Sequence, residues 1–106
     1  MREMSLRIAV FVSGQGTNLI YIHQSCLSQK ILGEVVLVVS DRVCKGVEWA
    51  VANKIPVAII PMQENREEWD SLIVNILDQY SIHLVCLAGF MKILGKKVVE
   101  TYSGRI

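Results

Sequence analysis

The chain has 106 residues, 52% of them apolar, and a net charge of +1 at pH 7. That length carries one small domain, and that apolar content excludes a disordered chain. Eleven Lys and Arg against ten Asp and Glu leave no basic excess to point to nucleic acid or an anionic membrane.

The N-terminal MREMSLRIAVFVSG carries charge before an apolar run too short for a signal core or a membrane span. A cytoplasmic protein is therefore expected, with neither a nucleic-acid nor a membrane partner. Cys26, Cys44 and Cys86 form an odd set without CxxC spacing. That argues against a disulfide framework and a zinc site, so no metal is expected and the cysteines read as reduced, mostly buried small hydrophobes.

In chain order, Leu6–Val12 reads as a first strand. Asn18–Lys30 follows as a helix with Leu19, Ile22, Cys26 and Leu27 at helical spacing, stopped by Gly33. Glu34–Ser40 holds a continuous β-branched run, the mark of a strand buried on both faces in a parallel sheet. A short helix over Cys44–Asn53 leads to a third strand, Pro56–Ile60. Asn65 then reads as an N-cap with Glu68 at the third helical position, opening a helix to about Tyr80. Its apolar stripe is Trp69, Leu72, Ile73, Ile76, Leu77 and Tyr80. Ile82–Leu87 is a fourth strand, and Gly95–Tyr102 a short helix.

Four alternations of strand and helix imply an α/β fold, a parallel sheet of about four strands with helices on both faces. In the common order, strand 1 lies between strands 2 and 4, with strand 3 beyond strand 2. Ligands bind at the carboxyl ends where the order reverses. Ser13–Asn18 and Ala88–Leu94 leave those two strand ends and wall one crevice.

In the first of these, Gly14 and Gly16 permit positive φ and close approach, and Thr17 and Asn18 either cap the helix or hydrogen-bond an anion. A GxGxxG fingerprint fails at Leu19, and no Walker lysine follows. Asp41, at the end of strand 2, keeps a nucleotide-binding reading open. On spacing alone, the turn is equally an anion site or a plain βα turn. The apolar stretch Ala88–Leu94 offers backbone groups and side chains to a planar heterocycle, or simply packs under the next helix. Arg66 lies in a first helical turn, where a cation opposes the helix dipole. It meets a ligand carboxylate or is a solvated surface residue. His23 and His83 read as structural.

These motifs also carry a resemblance. Ser13-Gly14-Gln15-Gly16-Thr17-Asn18-Leu19 resembles the S-G-x-G-[ST]-N-L signature of the phosphoribosylglycinamide formyltransferase family. Arg66-Glu67-Glu68-Trp69-Asp70 is similar to its R-E-x-[YW]-D segment. Leu87–Leu94 is similar to its L-A-G-F-M-R-I-L segment, and Tyr102-Ser103-Gly104-Arg105 to its Y-x-G-R. The resemblance implies the N-terminal half of a Rossmann-like formyltransferase fold, and transfer of a formyl group from 10-formyltetrahydrofolate, the co-substrate, to glycinamide ribonucleotide in de novo purine synthesis.

By that resemblance Gly16, Thr17 and Asn18 hold the substrate phosphate. Met91, Lys92, Ile93 and Leu94 line the pterin pocket, and Arg66 contacts the folate. Lys92 stands where the family has arginine, which loses a bidentate contact but keeps any backbone one. The family's catalytic Asn, His and Asp are expected beyond Ile106. Residues 1–106 are thus expected to form a single N-terminal formyltransferase-type domain, truncated before the catalytic segment, with no catalytic residue of its own. Self-association, or pairing with a complementing C-terminal half, is expected through the exposed edge of the fourth strand. Two alternatives are a non-catalytic phosphoribonucleotide-binding module and a nucleotide-binding regulatory domain using Asp41.

Overall fold

In the computed structural model, which describes residues 5–90, 100–102, 104 and 106, Leu6–Val12 forms strand β1. Its apolar run is buried from Ile8 to Val12. Thr17–Leu27 forms α1, Gly33–Ser40 β2, Lys45–Ala52 α2, Val57–Ile59 β3, Arg66–Gln79 α3 and Leu84–Leu87 β4. The short helix expected over Gly95–Tyr102 falls mostly outside the described residues, of which Glu100 and Thr101 are helical.

The sheet order is β3-β2-β1-β4, and every pairing is parallel. This is the expected doubly wound order. Alternation along β1 sends Ala9 and Phe11 to one face, where they pack with Trp69, Ile73 and Leu77 of α3. Ile8, Val10 and Val12 go to the other, with Leu19 and Cys26 of α1 and Val47 and Ala50 of α2. Each buried Val, Ile, Leu or Phe side chain among these contributes about 1.5–3 kcal/mol. β2 skips one residue against β1, between the pairs Ile8–Val35 and Ala9–Leu37. The slip leaves Val36 as the extra residue of a bulge.

The apolar periodicity is wider than the buried stripe. Leu27 is 70% exposed and Leu72 is 45% exposed, although both fall at the expected helical spacing. Gly33 is not the helix stop that its position after α1 suggests. It opens β2, where a Cβ would lie 2.9 Å from the Ile8 side chain.

The helices α1, α2 and α3 instead end without glycine. Gln29, Lys54 and Ser81 follow the three C-caps with φ of 64°, 61° and 53°. In each case the next N–H closes back onto the helix: Lys30 to the Ser25 carbonyl, Ile55 to Ala50 and Ile82 to Leu77. These are Schellman closures with a side chain at the left-handed position. No described helix is long and apolar enough to cross a membrane.

Two predictions follow from this packing. Ile73→Ala should cost about 2–5 kcal/mol in urea unfolding, while Leu72→Ala should stay within about 0.5 kcal/mol. Ser81→Gly should stabilise by about 1 kcal/mol, because glycine enters the left-handed region without a Cβ penalty. A lower thermal midpoint for Ser81→Gly would contradict it.

Candidate functional site

β1 and β4 run side by side, and their carboxyl ends meet. Phe11 pairs with Leu87, and the Ala88 N–H donates to the Phe11 carbonyl at 2.9 Å. From this rung the chain leaves β1 into Ser13–Asn18 and leaves β4 through Gly89, which has φ +74°. The two expected walls of one crevice therefore start from adjacent strand ends, as far as Phe90. Met91, Lys92, Ile93 and Leu94 lie outside the described residues.

Within the turn, Gly16 is the residue that needs to be glycine. It is the N-cap of α1 with φ 83°, and a Cβ there would lie 2.6 Å from Gly46 Cα. Gly14 has no such requirement, since its φ is not positive and a Cβ would meet nothing within 4 Å. Gly46, in the first turn of α2, was not singled out by spacing. Its N–H donates to the Gly14 carbonyl at 3.0 Å, and a Cβ on it would sit 3.2 Å from Gly16 Cα. Two glycines in backbone contact thus bring the N-terminus of α2 against that of α1. Only the folded topology reveals this pair.

Thr17 and Asn18 are the first two residues of α1 and both are exposed. Neither caps the helix: Gly16 occupies the N-cap, and no side chain supplies a capping bond. The first-turn N–H groups of α1 point from a helix N-terminus, the geometry that receives anions.

Asp41 lies beside this turn. Its Oδ1 accepts from Ser13 Oγ at 3.2 Å and from Arg42 Nε at 3.2 Å, and its Oδ2 accepts from Arg42 Nη2 at 2.9 Å. The Arg42 hydrogen bonds and charge hold the Asp41 carboxyl below the usual carboxylate value, against the opposing effect of burial. With these partners and a side chain only 4% exposed, Asp41 does not present an open acceptor to a ribose diol. The dinucleotide reading loses its central residue.

Arg66 is exposed in the first turn of α3, with its guanidinium 5.8 Å from the Trp69 ring centre. Trp69 is fully buried and anchored by Nε1 donation to the Ile60 carbonyl at 3.0 Å. Phe90 stacks on the same indole at 6.3 Å and meets Phe11 edge-on at 5.3 Å. One aromatic column therefore ties Arg66 to the start of the second crevice wall. Asn65 caps α3 as expected, accepting from the Glu67 and Glu68 N–H groups at 2.9 and 3.3 Å. Asp70, the last residue of the Arg66–Asp70 segment, is 5% exposed, and its Oδ1 has no hydrogen-bond partner among the described residues.

The histidines lie in the scaffold. His83 Nδ1 accepts from the Arg7 N–H at 3.0 Å, and His23 meets Trp49 edge-on at 5.2 Å. All three cysteines are free thiols. Burial pushes the Cys86 thiol up, away from the reactive thiolate. A groove of about 800 Å³ does exist, but at the opposite, amino end of the sheet, lined among others by Arg7, His23, Glu34 and Lys54. It mixes charges of both signs and gathers no group able to bind a metal among the described residues.

Known proteins give an independent comparison. A family model described as formyl transferase matches residues 6–106. The phosphoribosylglycinamide formyltransferase of Arabidopsis thaliana, a chloroplastic protein, is 38% identical over 105 residues, covering 94% of this chain and 36% of its own length. Its counterpart from Haemophilus influenzae is 36% identical over 103 residues, covering 94% and 49%. The crystal structure of the Bacillus halodurans enzyme of the same name superposes with a TM-score of 0.90 at 34% identity, covering 94% of this chain and 53% of that one. The chain spans about half the length, or less, of these relatives.

Two outcomes test the site's geometry. Gly16→Ala should destabilise by about 1–3 kcal/mol through left-handed strain and the clash with Gly46; an unchanged unfolding midpoint would refute that contact. Asp41 has its folded pKa depressed, so its contribution is complete above the unfolded value of about 3.9 and is lost as pH falls through the lower folded value. Asp41→Asn should therefore show a shallower loss of stability than the unmodified chain as pH drops below about 4. Parallel acid-unfolding curves would contradict it.

Proposed function

The chain belongs to the formyl transferase family, and from that premise we propose that it serves formyl transfer from 10-formyltetrahydrofolate to glycinamide ribonucleotide in de novo purine synthesis. The observation that carries the reading is the β1–β4 rung at Phe11 and Ala88, from which the glycine turn and the start of the second loop leave the same edge of the sheet.

In this reading the nucleotide phosphate sits on the N–H groups at Gly16, Thr17 and Asn18 and accepts from the Thr17 hydroxyl and the Asn18 side-chain amide, both exposed at the helix end, which also supplies partial positive charge. The pterin lies against Met91, Lys92, Ile93 and Leu94. The carboxylates of the folate tail face Arg66, whose guanidinium is set by the Trp69 ring. The reaction needs the substrate amine to attack the formyl carbon, a tetrahedral oxyanion to be stabilised and protons to move to the leaving nitrogen. The described residues of the crevice orient the two substrates, and we assign none of them to proton transfer. Holding both ligands at one edge raises the effective concentration of amine at the formyl carbon.

The outer edge of β4 supports a partner as well. Leu84–Leu87 pairs with β1 on one side and with no strand on the other among the described residues, and Leu87 is 48% exposed. We read this edge as a pairing surface for a second copy or a complementing polypeptide. A cytoplasmic location goes with this reading, although the Arabidopsis thaliana relative is chloroplastic.

Calorimetry separates the two ligand roles. Replacing Thr17 and Asn18 together by Ala should weaken glycinamide ribonucleotide without changing the affinity for a stable folate analogue. Arg66→Ala should do the reverse, weakening the folate analogue about tenfold or more through loss of a charged hydrogen bond. No binding of either compound to the unmodified chain would overturn the proposal.

A further inference from the structure

The turn Ser13–Asn18 contains no cation. A phosphomonoester carries nearly two negative charges at neutral pH, and the partial charge at a helix end offsets only part of that. The hydrogen-bond chain from the turn leads through a carboxylate to one cation. Ser13 Oγ donates to Asp41 Oδ1, and the same carboxylate accepts Arg42 Nε and Nη2.

Arg42 is held from two sides. Its backbone is pinned by Ser40, which is 1% exposed: Ser40 Oγ donates to the Arg42 carbonyl at 2.7 Å and accepts from the Arg42 N–H at 3.2 Å. Its side chain lies on Asp41 but remains 50% exposed. Two of its five N–H groups are used on Asp41, so others can reach outward. The contact of Gly46 with Gly16, and of the Gly46 N–H with the Gly14 carbonyl, fixes the segment bearing Arg42 against the turn. The guanidinium side of the pair is half-exposed and screened by water, so the clamp matters more for where it places the guanidinium than for the fold.

We propose that Arg42 is the cationic arm of the anion turn, binding outer oxygens of a phosphomonoester whose inner oxygens rest on the N–H groups of Gly16–Asn18. Asp41 is its positioning residue, and Ser13 links the two. The inference rests on the phosphate reading of the turn and extends that site by one residue. The arrangement has a sharp consequence. Without Arg42, the Asp41 carboxylate stays bonded to Ser13 with no neighbouring cation and repels the incoming dianion.

The test titrates the 106-residue chain with glycinamide ribonucleotide and with ribose 5-phosphate by calorimetry, with circular dichroism to confirm folding. Arg42→Ala should weaken both ligands about ten- to a hundredfold, and the Asp41→Asn/Arg42→Ala double variant should recover part of that loss. Lys54→Ala, at the opposite end of the sheet, should bind as the unmodified chain does. Binding by Arg42→Ala within about twofold of the unmodified chain, while the Thr17 and Asn18 double-alanine variant is weakened, would overturn the role of Arg42 and leave the phosphate reading standing. A double variant no better than Arg42→Ala would overturn the role of Asp41. Absence of binding by the unmodified chain would remove the phosphate reading, and this inference with it.

Discussion

The hydrogen bond from the Ala88 N–H to the Phe11 carbonyl, 2.9 Å long, closes the last rung between β1 and β4. The rest of the site depends on it. The strands are parallel, so both leave the sheet at the same edge, and the chain segments that follow them begin side by side. Had β4 joined the sheet beyond β3, the glycine turn and Gly89 would begin at opposite margins. The crossover through α3 prevents that, because Trp69, Ile73 and Leu77 bury themselves on the face formed by Ala9, Phe11 and Val85.

Within that frame the turn owes its shape to backbone contact. Gly16 and Gly46 touch without side chains between them, which brings two helix N-termini together. The second wall is organised differently, by rings. Phe90 meets both Phe11 and Trp69, and Trp69 also carries the Arg66 guanidinium. One wall is thus built on backbone contact at a helix N-terminus. The other begins on packed rings with a cation at its margin.

Much of this was legible in the residue pattern. The run Ile8–Val12 is so uniformly apolar that only a doubly buried strand accommodates it, and β1 has the expected bounds. Asn65 before Glu67 and Glu68 marked the start of α3 through local chemistry that needs no tertiary contact. Strand order followed from the alternation of elements. What was not legible depends on contacts between distant segments. Gly33 looked like a helix stop because a glycine kept for close packing and one kept for a left-handed turn are the same letter. The left-handed positions fell to Gln29, Lys54 and Ser81 instead. Leu27 and Leu72 keep helical spacing yet face solvent, since spacing cannot say how wide a buried stripe will be. The Gly16–Gly46 contact and the Ser13–Asp41 hydrogen bond join residues whose proximity exists only once β1 and β2 have paired.

The central claim is that the carboxyl-end crevice between β1 and β4 receives both a phosphorylated substrate and a folate. The most direct measurement is an amide chemical-shift map of the ¹⁵N-labelled chain with glycinamide ribonucleotide and a stable folate analogue added together. Shifts are expected at Gly16, Thr17 and Asn18 and at Gly89 and Phe90, with Arg7, His23 and Lys54 at the opposite end unmoved. Shifts confined to that opposite end, or none at the glycine turn, would contradict it.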